Sequence, residues 1–153
     1  MSIRFATAQD IPALVSLGQR VHALSRFRNM PYDAQRVAAA LQSSLAEPTG
    51  RYVCFVATDA QGQVAGGLLA TLERHIFSPQ ITASIMHFDV LPEKRSAGYA
   101  LRLIKAFEQW CNNRKIHEIS FGINSVEDEI EIQRLARFAK RLGYRKAGES
   151  YVK

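Results

Sequence analysis

The sequence predicts an α/β protein of the α+β kind, with a mixed, mostly antiparallel central sheet of six to seven strands flanked by about four helices. Amphipathic helical patterns fill the N-terminal third, before any long β-rich run. The β-rich runs of the middle third follow one another through short connections, which favours an antiparallel meander. A strand, a glycine turn, a helix and another strand come next, an order that predicts a crossover and a parallel neighbour.

The chain has 153 residues, 47% of them apolar, which is about the length of one ordinary domain. No repeat or linker interrupts it, so we expect a single domain over residues 1–153. No stretch approaches the roughly 20 apolar residues that cross a bilayer, and the first residues lack the pattern of a secretory signal. We therefore expect a cytoplasmic protein that does not contact a membrane. Cys54 and Cys111 lie far apart with no histidine at ligand spacing, so we expect buried thiols and no metal.

The first third of the chain predicts one strand and two helices. Ile3 to Ala6 is a short apolar strand, and Thr7-x-x-Asp10 resembles a capping box. Apolar residues then recur at helical spacing. After a loop, Asp33 can cap a second helix, which Pro48 ends.

The remaining two thirds predict the rest of the sheet. The runs "RYVCFVAT", "QVAGGLLATLE" and "QITASIMHFDVL" are the meander, and Tyr99 to Asn113 is an amphipathic helix. "HEISFGI" is typical of a buried strand. Ser125-x-x-Asp128 can cap a last helix that Gly143 ends, and "YRKAGESYVK" predicts a terminal hairpin.

A formal net charge of +6 favours anionic partners but does not identify the anion. Basic residues are dense just before one predicted helix. This segment contains Arg95-x-x-Gly98-x-Ala100 at a strand-to-helix junction. Unpaired backbone N–H groups and the helix dipole favour a phosphate at such a place, and a glycine lets a ligand approach closely. The two better-known phosphate motifs, G-x-x-x-x-G-K-[ST] and G-x-G-x-x-G after a strand, are absent.

The order of elements and the R-x-x-G-x-A signature resemble the GNAT superfamily of acyl-CoA-dependent N-acetyltransferases. "VLPEKRSAGYALRLIKAFEQW" is similar to the family's phosphate-binding block, "KRLGYRKAGESYVK" to its usual ending, and "IRFATAQDIPAL" to its usual opening. The resemblance covers nearly the whole chain. It implies a V-shaped split between the central strands, with acetyl-CoA as cosubstrate.

The resemblance also implies which residues hold acetyl-CoA. The backbone of Phe88 and Val90 would pair with the pantetheine arm beside the split. The pyrophosphate would lie on the turn after it, against Lys94, Arg95, Ser96, Ala97, Gly98, Tyr99 and Ala100.

Direct attack of an amine on a thioester needs a base for the amine and a proton for the departing thiolate. His87 and Asp89 alternate on one face of the central strand and are the candidate bases. Bases in the family often come from the other phase of that strand, where Ser84 and Met86 stand, so a bulge would have to change the phase.

The acid is harder to assign. Family members often carry an asparagine and a tyrosine on the last helix, where this chain has Ile132 and Ala139. Tyr151 on the terminal strand is our first candidate for the acid, with Tyr144, Tyr99 and solvent as alternatives.

By analogy with relatives, the acceptor pocket would lie between the loop Ser25 to Asp33 and a rim near Glu73 to Pro79. The loop offers Phe27, Met30 and Tyr32, and Glu73 could attract an ammonium group. A small amine or an amino-acid-like acceptor fits this composition.

Two other functions stay open. The absent asparagine and tyrosine allow a protein that binds CoA or another anion without turnover. The charge of +6 and the basic last helix allow a nucleic-acid binder, or an acetyltransferase that acts on RNA. Relatives often form homodimers through their terminal strands, which makes a homodimer an expectation here.

Overall fold

A computed structural model describes residues 1–153 and shows one sheet of five strands in the order β1-β2-β3-β4-β5. The strands are β1 (Ser2–Phe5), β2 (Tyr52–Thr58), β3 (Val64–Arg74), β4 (Ile81–Val90) and β5 (Glu118–Phe121). Strands β1 to β4 pair antiparallel, and β5 pairs parallel with β4. The predicted mixed, mostly antiparallel sheet is thus confirmed.

Four α-helices flank the sheet: α1 (Ile11–His22), α2 (Ala34–Ala46), α3 (Tyr99–Asn113) and α4 (Glu129–Arg141). Their starts follow the capping residues of the sequence. The Asp10 carboxylate accepts from the Thr7 N–H at 2.8 Å, just ahead of α1. Asp33 and Asp128 accept from N–H groups in the first turns of α2 and α4. Gly143, at φ +90°, ends α4 as predicted.

The main core lies between the sheet and α3. Leu103, Ile104 and Phe107 of α3 are completely buried against β2, β3 and β4, and Phe138 of α4 packs at the edge of this cluster. A smaller cluster on the other face of the sheet joins Leu14 of α1 to β2 and β3. The apolar stripe that the sequence gives α3 therefore faces the sheet, as predicted.

Five strands are fewer than the six to seven predicted, because the terminal hairpin does not form. Residues 145–153 are exposed and belong to no helix or strand, and their N–H groups make no backbone hydrogen bond. The segment "RKAGESYVK" has few apolar residues to bury, and β5 offers an edge of only four residues for it to pair with. β5 itself is an edge strand with Glu118 and Ser120 exposed, not the buried strand that the sequence predicted.

Both cysteine thiols are buried, as the sequence predicted. Burial raises the pKa of Cys54 and that of Cys111 to about 12, so neither is a reactive thiolate at neutral pH. None of the helices combines the length and the apolar content needed to cross a membrane.

Candidate active site

A β-bulge in β4 determines which residues face the site. Leu69 of β3 pairs with His87, but its neighbour Ala70 pairs with Ile85, so Met86 is an extra residue without a partner in the ladder. Ala83 and Ile85 face the α3 core before the bulge, and Phe88 and Val90 face it afterwards. The bulge therefore places His87 and Asp89 on the same face as Ser84, which is the change of phase that the predicted bases require.

β4 loses its partner on one side just before the bulge. Its pairing with β5 covers Thr82 to Ile85 and then stops, whereas its pairing with β3 continues to Val90. The N–H of Leu91 donates to Ala65 of β3 at 2.9 Å. Because backbone groups alternate in direction along a strand, those of Phe88 and Val90 point away from β3, into the split between β4 and β5.

Asp89 lies partly buried where α1 comes close to the sheet. Its partner in β3 is Gly67, at which an added Cβ would lie 2.8 Å from Leu14 of α1. Burial raises the pKa of the Asp89 carboxyl above its ordinary value, and electrostatic interaction with the nearby side chains of His87 and Arg95 opposes that rise. No hydrogen bond from the protein contributes to the pKa of this carboxyl, so the carboxylate is free to interact with a substrate or a water molecule.

Tyr32 brings the loop between α1 and α2 to the same region. Its hydroxyl donates to the carbonyl of Val15 at 2.9 Å, and its ring packs against His22 with centroids 5.3 Å apart. Burial, followed by the negative charge of Asp89, raises the pKa of the Tyr32 hydroxyl. The predicted residues His87, Asp89, Arg95 and Tyr32 thus share one electrostatic neighbourhood.

The segment after β4 forms a turn that exposes backbone ahead of a long helix. Pro92–Ala97 is a 3-10 turn, Gly98 follows at φ +78°, and α3 begins at Tyr99. A positive φ of this size favours glycine over every other residue. No side chain caps the N-terminus of α3, and Arg95 to Gly98 are exposed, so the first N–H groups of α3 are available to an anion.

Two ion pairs fasten this turn to the rest of the molecule. Arg20 of α1 holds Glu93 through two hydrogen bonds of 2.9 and 2.8 Å, and Lys94 reaches Asp59 at 3.4 Å. Arg95 has no ion-pair partner. The Lys94 ammonium group is thus already paired with a carboxylate of the protein, whereas Arg95 is a cation of the turn without an ion-pair partner.

Arg95 lines a cavity of about 410 Å³ that also holds Arg26 and Arg28. The loop after α1 forms one wall, and Ser125 to Asp128 and Glu131 form the other. Arg26 bonds the Asn124 carbonyl, and Arg28 pairs with Glu127 at 2.9 Å, so the two walls are tied together. The cavity is therefore lined by three arginines and by three carboxylates, those of Glu127, Asp128 and Glu131.

The predicted acceptor residues are only partly brought together. In the loop, Phe27 lies under the Arg26 guanidinium, 4.2 Å from it, and Met30 is exposed. Glu73 lies on β3, six positions from Gly67, hence about 20 Å along the strand from the Asp89 end. The hydrogen bonds of the loop run to residues 124–127, and none joins it to the rim Glu73 to Pro79.

The tyrosines considered as the acid lie elsewhere. Tyr151 is 87% exposed, lies on no strand, and donates to Glu149 at 2.5 Å. The Tyr144 hydroxyl is buried near Glu108 of α3, and burial and then the charge of Glu108 raise its pKa. The Tyr99 side chain is buried in the main core, so only its backbone can meet a ligand.

Sequence reasoning missed the ion pairs that position the turn and the two arginines that join Arg95. Arg20 and Glu93 are 73 positions apart, and Arg26 and Asn124 are 98 apart. No local spacing signals such contacts. The density of arginine in "SRFRN" is plain in the sequence, but only the fold shows that Arg26 and Arg28 line the same cavity as Arg95.

Comparison with known proteins agrees with this geometry. The family model described as "Acetyltransferase (GNAT) family" matches residues 20–144. No curated protein sequence matches this chain.

Several solved structures share the fold. A single-site mutant of a Bacillus halodurans protein superimposes with a TM-score of 0.80 at 17% identity, over 100% of this chain and 98% of the other. A Trypanosoma brucei acetyltransferase gives 0.73 at 15%, covering 99% and 97%. An aminoglycoside acetyltransferase from an uncultured soil metagenomic sample, in complex with sisomicin, gives 0.70 at 20%, covering 99% and 95%.

The chain belongs to the acetyltransferase (GNAT) family, because the family model covers most of its length. It is accordingly an acyl-transferring enzyme, and the resemblance found in the sequence is confirmed.

Proposed function

We propose that this enzyme transfers the acetyl group of acetyl-CoA to a primary amine of a small molecule. The observation that carries the proposal is one continuous path along β4. The path begins at the bulge beside His87, follows backbone that faces the split, and ends at the exposed turn before α3. A long donor with a thioester at one end and phosphates at the other fits such a path.

The phosphates of the donor lie on the turn in this proposal. N–H groups at the start of α3 and the dipole of a 15-residue helix favour an anion there. Arg95 supplies an unpaired positive charge, and Arg26, which forms no ion pair, lies across the adjoining cavity. The pantetheine arm would pair with the backbone of Phe88 and Val90 in the manner of an added strand.

The side chains at the bulge, His87 and Asp89, determine how the proposed reaction proceeds. The amine nitrogen attacks the thioester carbonyl carbon, a C–N bond forms, and the C–S bond breaks. His87 accepts the proton that the amine loses, directly or through water, and the Asp89 carboxylate stabilises the resulting imidazolium. No covalent bond to the enzyme is needed.

The thiolate that leaves requires no special acid in this scheme. A thiol has a pKa of about 8.5, so its anion is a weak base and water can return the proton. This explains how a chain with Ile132 and Ala139 on α4, and with Tyr151 exposed, can still complete the reaction. Solvent reaches the split because His87 and Met86 are exposed.

An assay of CoA release with a panel of primary amines tests the proposal. We expect acetyl-CoA to be consumed in the presence of at least one amine class, and His87→Gln to lower kcat by about a hundredfold or more. If acetyl-CoA binds but no amine releases CoA, the chain is a CoA-binding protein without turnover and the proposed activity is wrong.

A further inference from the structure

The turn between β4 and α3 is not held in place by packing. Val90 and Tyr99 are buried, but Pro92 to Gly98 between them include no buried residue. The Lys94 N–H donates to the carbonyl of Leu91, within the same segment, and a 3-10 turn is itself a weakly bonded structure. Side-chain contacts with other elements must therefore fix where this turn lies relative to the sheet.

Two such contacts join the turn to the rest of the molecule, and they differ in strength. The Arg20 guanidinium of α1 donates to both carboxylate oxygens of Glu93, at 2.9 and 2.8 Å. Two parallel hydrogen bonds of this kind are the strong form of an arginine–carboxylate pair. The Lys94 ammonium group reaches Asp59 through a single contact of 3.4 Å. The contact with Arg20 is therefore the main tie.

The helix α1 gives Arg20 a firm support. Leu14 and Leu17 are buried against the sheet, where both side chains lie beside Gly67 of β3. Gly67 is the partner of Asp89 in β4. Arg20 follows Leu17 by three positions, which is less than one helical turn. The side chain that holds the turn thus projects from the part of α1 that is packed on the sheet beside the reaction centre.

The Glu93 carboxylate lies in a segment where a negative charge is otherwise unfavourable. It is two positions from Arg95, in the turn that receives the phosphates in the proposed function. The hydrogen bonds from Arg20 hold the pKa of Glu93 below its ordinary value, so this carboxylate is ionised at neutral pH. A carboxylate repels phosphates unless it is paired. Its place in the turn is explained if attachment to α1 outweighs that repulsion.

We propose that Arg20 and Glu93 are positioning residues of the donor site. Their ion pair holds the turn against α1, so that the N–H groups at the start of α3 face the phosphates. Neither residue needs to touch the donor. The inference rests on the proposed acetyl transfer and adds to it the contact that places the phosphate-binding turn.

Calorimetric titration of acetyl-CoA into single and double variants tests the inference. Arg20→Gln and Glu93→Gln should each weaken binding by a factor of about three to five, the range expected for one exposed ion pair. Because both substitutions break the same contact, the double variant should bind no more weakly than Arg20→Gln alone. Arg20→Lys, which keeps the charge and can keep one hydrogen bond, should recover part of the affinity.

The signs of the two single effects separate positioning from simple charge effects. If the two residues acted through charge alone, Arg20→Gln would weaken phosphate binding and Glu93→Gln, which removes a negative charge, would strengthen it. Positioning requires that both weaken it. Tighter binding by Glu93→Gln, or losses that add in the double variant, would overturn the inference.

Urea unfolding separates positioning from a general loss of structure. Lys146→Gln, which breaks an ion pair of the exposed tail, is the control and should change neither the acetyl-CoA affinity nor the unfolding midpoint. Arg20→Gln and Glu93→Gln should unfold at the same urea concentration as this control. A marked drop in their midpoints would overturn the inference, because the pair would then support the fold and not the turn.

The same titrations distinguish failure of the inference from failure of the proposed function. Equal affinity of the wild type, Arg20→Gln and Glu93→Gln for acetyl-CoA would overturn the inference and leave the proposed transferase standing. A wild-type protein that does not bind acetyl-CoA would contradict the proposed function itself.

Discussion

The bulge at Met86 lets His87 and Asp89 act as a pair, since it turns both toward the open side of β4. Asp89 carries a raised pKa because α1 covers it at Gly67, and it faces His87, Arg95 and Tyr32. A partly buried carboxylate beside an imidazole stabilises the imidazolium that proton transfer creates.

We predict that Asp89→Asn lowers kcat at least tenfold and moves the acidic limb of the kcat/KM profile to lower pH. The substitution removes a proton-binding group whose pKa is raised and removes the negative charge that faces His87. The profile is measured between pH 5 and 9 with the amine varied below its KM at saturating acetyl-CoA. An unchanged acidic limb would exclude Asp89 from the proton transfer.

Tyr151→Phe should leave kcat within about twofold of the wild-type value. The hydroxyl that it removes is exposed to solvent and bonded only to Glu149, and water can protonate the leaving thiolate. A large loss of kcat at constant KM would show that the tail moves over the split and that Tyr151 is the acid after all.

At the scale of elements, the turn between β4 and α3 combines a positive φ with an uncapped helix. A Cβ added at Gly98 would have no other atom within 4 Å, so the left-handed backbone is the reason for a glycine there. Gly62 in the turn between β2 and β3 has the same φ of +78° and the same free space. Substitutions at Gly98 and at Gly62 therefore cause the same backbone strain, and a difference between them reports on ligand contact.

We predict that Gly98→Ala weakens acetyl-CoA binding at least tenfold, whereas Gly62→Ala does not. Each substitution should destabilise the fold by about 1 kcal/mol, because alanine is strained at a positive φ. Only Gly98→Ala places a methyl group and a strained turn where the phosphates would bind. Equal acetyl-CoA affinity for both variants, measured by calorimetry, would remove the turn from the phosphate site.

Much of this element-level structure could be predicted from local signals. The Thr7–Asp10 box, the cap at Asp33 and the stripe of α3 are short-range patterns with a direct physical meaning, and each was found where expected. The last helix begins later than Ser125-x-x-Asp128 predicts, because Asp128 and not Ser125 is its N-cap. The prediction of a terminal hairpin was wrong because the alternation of apolar and polar residues in "YRKAGESYVK" is weak. Whether this segment pairs with the sheet also depends on the length of β5, which the residues of the segment do not encode.

At the scale of the whole molecule, the contact of Arg4 with Asp10 ties β1 to the start of α1. Two hydrogen bonds of 2.8 Å join the guanidinium to the carboxylate, and Thr7 donates to the same carboxylate. The Arg4 hydrogen bond holds the pKa of Asp10 at about 2, although burial opposes this. A depressed pKa of this kind means that the ionised carboxylate stabilises the fold.

Asp10→Asn should therefore lower the free energy of unfolding at pH 7 by about 2 kcal/mol. The difference from wild type should be fully present above pH about 4, the ordinary range of aspartate, and fade as the pH falls toward 2. Urea unfolding across this range measures it. Asp33→Asn is the control, because asparagine caps a helix as well as aspartate does. A difference between Asp10→Asn and wild type that does not depend on pH would contradict the assignment.

Calorimetric titration with acetyl-CoA tests the central claim most directly, because donor binding along β4 underlies every other step. Dephospho-CoA, pantetheine and adenosine serve as fragments that report on the separate parts of the donor. We predict micromolar binding of acetyl-CoA, which Arg95→Ala weakens. Pantetheine and adenosine, which lack the pyrophosphate, should not reproduce it. Absence of binding, or binding that adenosine alone reproduces, would contradict the placement of the donor along β4 and its phosphates on the turn before α3.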